Sequence, residues 1–463
     1  MTTYSAVVTT GIYCRPGCGS KPLARNIRVF ENAAAAEAAG FRACLHCRPY
    51  RVAGPIGSDT PELVCRAVRM IIDGALDHDG TEAALAERVG LSARHLRRLF
   101  LQHLGASPDQ LARSRRAHFA RRLLDDSDLT VLDVAFASGF GSLRQFNRAM
   151  REVFHASPTD LRNRRRKADR LVADGGLTLR LPILPGYDWS AIRAFLAARA
   201  VPGVESVEEE TYRRTVTLDG APGLLEILPG TADHLLLRAH LPYWYGLIHV
   251  VDRVGQLLGL DTDQATAATE LRGDPRLGLL VRLRPGLAVP GTWSPFEVAV
   301  RAVLSRGREA GEATSWLGRI VRELGTPVPG LPGELTHTFP DPATVDAARL
   351  TGLGLPAGAA SAIAAVATAV CGEDTPLRHG ARASELAEVP GLDPELAQLI
   401  AYRLGDRTAF PAADPALKAA LTELGVTRDL GGQPWSALAA THLIRHGDTL
   451  RPPSQGVHNG QLA

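Results

Sequence analysis

Four cysteines near the start of the chain, Cys14, Cys18, Cys44 and Cys47, have the residue type and the spacing to do chemistry. They form two close pairs, C-x3-C and C-x2-C, with 25 residues between them. Pairs on either side of such a loop can converge on one tetrahedral Zn2+, an ion that an all-thiolate set suits. Zinc holds such thiols as thiolates at neutral pH, and the thiolate is the nucleophilic form of cysteine. The quartet therefore reads in two ways: as a structural staple for a small domain, or as a metal-activated nucleophile. The remaining cysteines, Cys65 and Cys371, are isolated.

The rest of the chain must supply the elements that position this chemistry. At 463 residues it is too long for one core, and three or four domains are expected. Hydrophobic residues make up 45% and charged residues 22%, the balance of globular domains. No stretch approaches the ~18 uninterrupted apolar residues of a membrane span, and no signal peptide stands out, so no membrane partner is expected. Cysteines in zinc-like spacing fit a reducing cytoplasm better than a disulfide framework does. The net charge of +3 is unevenly spread: residues 91–170 hold 17 Arg/Lys against 8 Asp/Glu, which leaves the remainder acidic. A basic block in a near-neutral chain points to a nucleic-acid surface there, and the helix-turn-helix pattern it carries makes double-stranded DNA the expected partner.

That block carries a repeated pattern. A helix beginning at Pro61, with Asp59 or Thr60 as its cap, places Leu63, Val64, Ala67, Val68, Ile71 and Ile72 at helical spacing. Then a helix from Glu82 to Val89 stops at Gly90, and a second helix follows the cap Ser92, the layout of a helix-turn-helix. The layout recurs from Thr130 to Phe154 with Gly139 at the turn, about 50 residues on, so each copy can meet a successive major-groove face. The second copy, ending H-A-S-P-T-D-L-R at Arg162, resembles the AraC family signature. Base-reading side chains are then expected on the exposed face of each second helix: Arg94, His95 and Arg98 in the first, Arg144, Gln145 and Arg148 in the second. Arg and Gln suit bidentate contact with guanine and adenine edges. The run Arg162–Lys167 reads as a solvated linker.

The residues around the cysteines read T-T-G-I-Y-C-R-P-G-C and G-F-R-A-C-L-H-C-R-P, which closely resembles the zinc domain of Ada, the bacterial alkylation-response family. The resemblance implies that Cys14 accepts a methyl group from a methylated DNA phosphate and that all four cysteines bind zinc. It implies a promoter activator as well, with promoter DNA and RNA polymerase as partners. Four thiolates on Zn2+ carry a net charge of −2, and methylating one sulfur halves it, so DNA affinity should rise. Only about a dozen residues precede Cys14, fewer than the helix and strand the family places there, so a shortened unit is expected.

Past Gly176 the pattern becomes strand-rich: L-T-L-R-L-P-I-L, V-E-S-V-E, Y-R-R-T-V-T-L and H-L-L-L-R-A-H-L alternate as strands, with helices from Trp189 to Ala200 and near Leu247–Leu258. The stretch Tyr187–Glu205 resembles the small N-terminal domain of AlkA-type 3-methyladenine DNA glycosylases. The segments Arg272–Val281 and Pro285–Leu304 track the opening of the AlkA catalytic domain. Val389–Asp406 resembles a helix-hairpin-helix, in which Gly391 lies in a hairpin offering backbone N–H groups to a DNA phosphate. The Asp closing the following A-F-P-A-A-D-P-A-L-K stretch is catalytic in that family, which nominates Asp414. A carboxylate there stabilises the positive charge that develops on the sugar and orients water, while the alkylated base is already a good leaving group. The same Asp-Pro pair is an ordinary helix opening.

Four positions depart from the glycosylase pattern. Asp393 replaces the second hairpin glycine, and Glu395 stands where relatives carry an aromatic residue or a Schiff-base lysine. Ser305–Glu309 replaces a Gln-rich turn, and Thr441–Arg445 lacks a tryptophan. Without the lysine no strand cleavage is expected.

The sequence is thus read as a multidomain α+β chain. A small zinc/methyl-acceptor domain spans 1–53, an all-α AraC-type double helix-turn-helix 58–166 and a small antiparallel α+β domain 174–260. An all-α helix-hairpin-helix glycosylase domain spans 263–450, and a flexible tail 451–463. The expected function is a methyl-sensing activator that also excises alkylated purines of the 3-methyladenine type. The alternative is a regulator whose glycosylase-like half only binds DNA.

Overall fold

The computed structural model describes residues 3–15, 18, 22–44, 47, 49, 61–165, 171, 176–260, 264–372, 375–425 and 435–450. The expected tail, the caps Asp59 and Thr60, and the end of the Arg162–Lys167 run lie outside them.

The first unit is a four-stranded sheet, order β3-β1-β2-β4, made of β1 (Tyr4–Val7), β2 (Ile12–Cys14), β3 (Ile27–Phe30) and β4 (Arg42–Ala43), with α1 (Ala33–Ala38) against it. Strand β1 comes from the short segment before Cys14 and pairs antiparallel with both β2 and β3. That lead-in supplies an inner strand of the sheet. Asn32 caps α1 by accepting from Ala35 N–H at 2.8 Å.

Among the described residues, seven helices follow: α2 (Glu62–Ile72), α3 (Glu82–Arg88), α4 (Ala93–Leu104), α5 (Pro108–Asp126), α6 (Val131–Ala137), α7 (Leu143–Phe154) and α8 (Pro158–Asn163). Thr81, Ser92, Thr130 and Ser142 cap the four helix-turn-helix helices through their hydroxyl oxygens. Each such cap contributes roughly 1 kcal/mol. The 19-residue α5 joins the two copies.

A five-stranded antiparallel sheet, order β5-β9-β8-β7-β6, comes next: β5 (Leu177–Pro182), β6 (Glu205–Glu208), β7 (Thr211–Leu218), β8 (Ala221–Thr231) and β9 (His234–His240), with α9 (Trp189–Ala197) and α10 (Leu247–Leu257). Strand β8 is absent from the sequence reading, and α9 stops three residues short of Ala200. Pro222, Gly223, Pro229 and Gly230 break the expected alternation in β8. The sheet tolerates them because Pro222 lies at the strand's start and Pro229 borders a register shift.

The remaining helices are α11 (Gln264–Leu271), α12 (Gly278–Leu283), α13 (Pro295–Ser305), α14 (Ala310–Leu324), α15 (Ala347–Gly352), α16 (Ala357–Val370), α17 (Ala383–Leu386), α18 (Pro394–Arg403), α19 (Pro415–Glu423) and α20 (Ser436–Leu450). Among the described residues, the buried apolar side chains form three clusters. One joins α2, α3 and α4 through Val64, Ile71, Leu85, Leu96 and Phe100. A second runs without a break from Tyr13 and Phe41 through Phe146 and Phe154 to Leu179, Leu237 and Val254. The third fills the helical half around Phe296, Leu317, Ile363, Ile400 and Leu443. No helix among the described residues is long and apolar enough to cross a membrane.

Candidate functional site

The four cysteines converge. Cys14 ends β2, Cys44 follows β4, and these two strands pair in parallel, with Cys44 N–H donating to Tyr13 O at 3.0 Å. The four sulfurs all lie within 4.8 Å of one another. A tetrahedral ion with bonds of about 2.3 Å needs sulfurs about 3.8 Å apart, so the set is close to what Zn2+ requires. Cys47 N–H donates to Cys44 Sγ, 3.5 Å away. Burial pushes the Cys47 thiol well up, and the neighbouring Cys44 and Cys14 push it further. Four thiols packed like this ionise together only around a cation, which is the electrostatic case for a metal here. Cys14, the nominated acceptor, is 5% exposed, while Cys18 and Cys44 are more open.

On the second helix of each helix-turn-helix, the expected side chains are outward. Arg94, His95 and Arg98 on α4 are exposed, as are Arg144, Gln145 and Arg148 on α7. The inward positions Leu96, Phe100, Phe146 and Met150 are buried and fix the rotation of both helices. Arg148 lies 3.7 Å from Glu152 one turn on, an exposed pair that water and salt weaken, so it stays available to a phosphate or base.

The glycosylase-like site is built on α17, α18 and α19. Gly391 in the hairpin has φ +88°, and a Cβ there would come within 2.8 Å of Ala362 on α16, so only glycine permits this approach. Asp393 caps α18, its Oδ1 accepting from Glu395 N–H at 3.0 Å and Leu396 N–H at 2.9 Å. Its other oxygen pairs with Arg306 Nη1 at 2.5 Å. Two departures noted separately in the sequence therefore meet. Arg306 neutralises the charge that Asp393 brings to the hairpin. Glu395 is exposed on the first turn of α18.

Asp414 caps α19, with Oδ1 accepting from Ala416 N–H at 2.9 Å and Leu417 N–H at 3.1 Å. The preceding stretch is held to α18 by Phe410 N–H donating to Gln398 Oε1 at 3.0 Å. Sequence reasoning missed a neighbouring pair: the buried Tyr402 hydroxyl lies 2.8 Å from Thr441 Oγ1. Burial pushes the Tyr402 phenol to about 12, and the charge of Asp414 adds to that rise. Thr441 takes part in this hydrogen bond at the end of the chain where the family's tryptophan is missing. The helical half is fastened to the sheet by buried Arg214 on β7, which donates to both oxygens of Glu297 on α13 (2.9 and 3.0 Å) and to Glu205 (3.2 Å).

Three family models match the chain: the metal binding domain of Ada over residues 2–50, a helix-turn-helix domain over residues 85–164 and the AlkA N-terminal domain over residues 178–294. A Mycobacterium tuberculosis protein described as a probable bifunctional transcriptional activator/DNA repair enzyme AlkA is 37% identical over 472 residues, spanning 98% of this chain and 95% of that one. Escherichia coli DNA-3-methyladenine glycosylase 2 is 31% identical over 192 residues, 40% of this chain and 64% of its own. The 3-methyladenine DNA glycosylase from Archaeoglobus fulgidus shares the fold, with a TM-score of 0.50 at 18% identity over 58% of this chain and 98% of that one. The chain thus belongs to the family of bifunctional AlkA proteins, which joins an Ada-type metal-binding unit and a helix-turn-helix pair to an AlkA-type glycosylase fold.

Proposed function

We infer that the protein is an alkylation-damage response protein with two chemistries. It takes a methyl group from a DNA methyl phosphotriester onto Cys14, which turns it into an activator of repair genes, and it excises alkylated purines of the 3-methyladenine type. The observation that carries the reading is the convergence of four sulfurs in a chain that also presents two outward-facing recognition helices.

Cys14, Cys18, Cys44 and Cys47 would hold Zn2+, which when bound would keep their sulfurs ionised at neutral pH. Cys14 Sγ attacks the methyl carbon. The S–C bond forms as the C–O bond breaks, and the electron pair leaves on the phosphate oxygen, giving a thioether and an ordinary phosphodiester. The thioether is stable, so each molecule reacts once. Activation further implies contact with RNA polymerase at the promoter.

In the helical half the target nucleotide is taken out of the stack. The glycosidic bond breaks with its electrons going to the cationic base, which leaves neutral. Asp414 stabilises the resulting positive charge on the sugar and orients the attacking water, whose proton passes to solvent. Its capping hydrogen bonds use Oδ1, and they fix the carboxylate at the head of α19.

The second reading, a regulator whose glycosylase-like half only binds DNA, draws on Asp393 and Glu395 at the hairpin. Incubation with methylated DNA separates the two. Wild type is expected to release methylated bases, and Asp414→Asn, which keeps a capping side chain, to release them at least about 100-fold more slowly with DNA binding intact. Binding without release by wild type sinks the enzyme reading. For Cys14, mass spectrometry after exposure to methyl phosphotriester DNA is expected to find one added methyl, lost in Cys14→Ser.

A further inference from the structure

Helix α1 connects the cysteine quartet to α4 directly and to α7 through His118 on α5. Tyr13, the residue before Cys14, is fully buried. Its hydroxyl donates to Glu37 Oε1 at 2.7 Å and lies 3.0 Å from His118 Nε2, which is 2.6 Å from the same Glu37 oxygen. Glu37 sits on α1 and His118 on α5. The His118 ring meets Phe154, the last residue of α7, edge-on with centroids 5.3 Å apart. At the other end of α1, Asn32 Nδ2 donates to the carbonyl of Leu104, the last residue of α4, at 2.9 Å. One six-residue helix thus touches the end of α4 directly and the end of α7 through His118 of α5, and the same Glu37 that holds His118 is hydrogen-bonded to the neighbour of Cys14.

The geometry points to α1 as a mechanical link between the methyl acceptor and the two recognition helices, with Glu37, His118 and Asn32 as positioning residues that turn methylation into a change in the spacing of α4 and α7. The link rests on the reading of Cys14 as the acceptor. Cys14 is 5% exposed, so an added methyl group must displace packed neighbours, and close-packed interiors transmit such shifts. The Tyr13–Glu37–His118 cluster is polar and mostly buried, and separating its members would leave hydrogen-bonding groups unmet. It therefore moves as a unit. Halving the charge of the metal site acts on affinity for any DNA. Moving α4 relative to α7 acts on which half-site spacing is bound, because each helix must keep its own stretch of major groove.

The test uses the full-length, zinc-loaded protein and a duplex selected from random sequence by methylated wild type. Methyl uptake and zinc content are measured alongside the ratio of affinities with and without methylation. His118→Gln and Asn32→Ser, the latter keeping a cap for α1, are expected to take up methyl and zinc as wild type does. Each should cut the methylation-dependent gain about fivefold, and lose the wild type's discrimination against a duplex with one base pair inserted between the half-sites. Folded variants that keep both the full gain and the discrimination overturn the link. Should His118→Gln fail to fold, amide hydrogen exchange on wild type decides. Methylation is expected to change protection in the last turns of α4 and α7, and unchanged protection there overturns the proposal. A wild type that takes up no methyl fails the acceptor reading itself, visibly in the mass measurement, and the link falls with it.

Discussion

Asp393 and Arg306 mark how far single residues could be read. Each stood out in the sequence as a substitution at a known place in the glycosylase pattern, one at the hairpin glycine and one in the turn after α13. Their pairing at 2.5 Å needed the fold, because they are far apart in the chain. With the Asp393 carboxylate accepting from Glu395 and Leu396, those two donors are taken by the protein itself. Asp393→Gly should free both donors and Arg306 for a DNA phosphate, at a stability cost of a few tenths of a kcal/mol for the lost cap. Fluorescence anisotropy with duplex DNA is expected to show several-fold tighter binding and a salt dependence steeper by about one phosphate contact. Unchanged affinity and slope would take this hairpin off the DNA. The quartet, by contrast, was legible outright, since cysteine spacing carries its own geometry. The Tyr402–Thr441 pair was not, since neither residue type announces a site.

At the scale of elements, helices bounded by strong caps were the easiest to find. Ser92, Thr130 and the turn glycines Gly90 and Gly139 sit where the pattern puts them, because local chemistry dictates those ends. Strand β8 was the hardest, since its fit depends on its partners β7 and β9 rather than on its own residues. Gly139 joins local and tertiary demands. Its φ is +80°, and a Cβ would sit 2.7 Å from Asp77 Oδ2. Asp77 is already engaged, 3.4 Å from Arg116 and 2.8 Å from His249. Gly139→Ala is therefore expected to cost about 2 kcal/mol or more, from left-handed strain plus displacement of a buried carboxylate. Denaturant unfolding measures it. Gly90, which has open space around a Cβ, provides the comparison: Gly90→Ala should cost only the strain, about 1 kcal/mol.

Over the whole molecule, the order of units was legible and their docking was not. The turn after α2 packs against α10 and the residues leading into it: His78 stacks on Tyr245 with centroids 5.1 Å apart, and His249 of α10 reaches Asp77. Neither contact follows from any local pattern. Two other histidines make stability depend on pH. Burial lowers His379 to about 4, with the charge of Arg253 adding to the shift, and lowers His442 to about 4, with Arg284 adding. Unfolded, each would titrate near 6.5. The folded values are the lower ones, so the native state holds both rings neutral. Their stabilisation is complete above about pH 6.5 and is lost as pH falls toward 4, at about 3 kcal/mol per ring. The melting temperature should drop steeply across that window, and less steeply in a His379→Gln/His442→Gln variant. Equal slopes would remove these rings as the cause.

The unbroken apolar cluster from Tyr13 through Phe154 to Val254 has a consequence at the bench. A gene fusion leaves its parts separable only while their interiors stay private, and here one interior is held in common. Cutting the chain after the helix-turn-helix pair would bare Leu179, Leu237 and their neighbours, and leave each fragment prone to aggregate. A sensing half cut free of the repair half would have to be redesigned at this shared interior before it could stand alone.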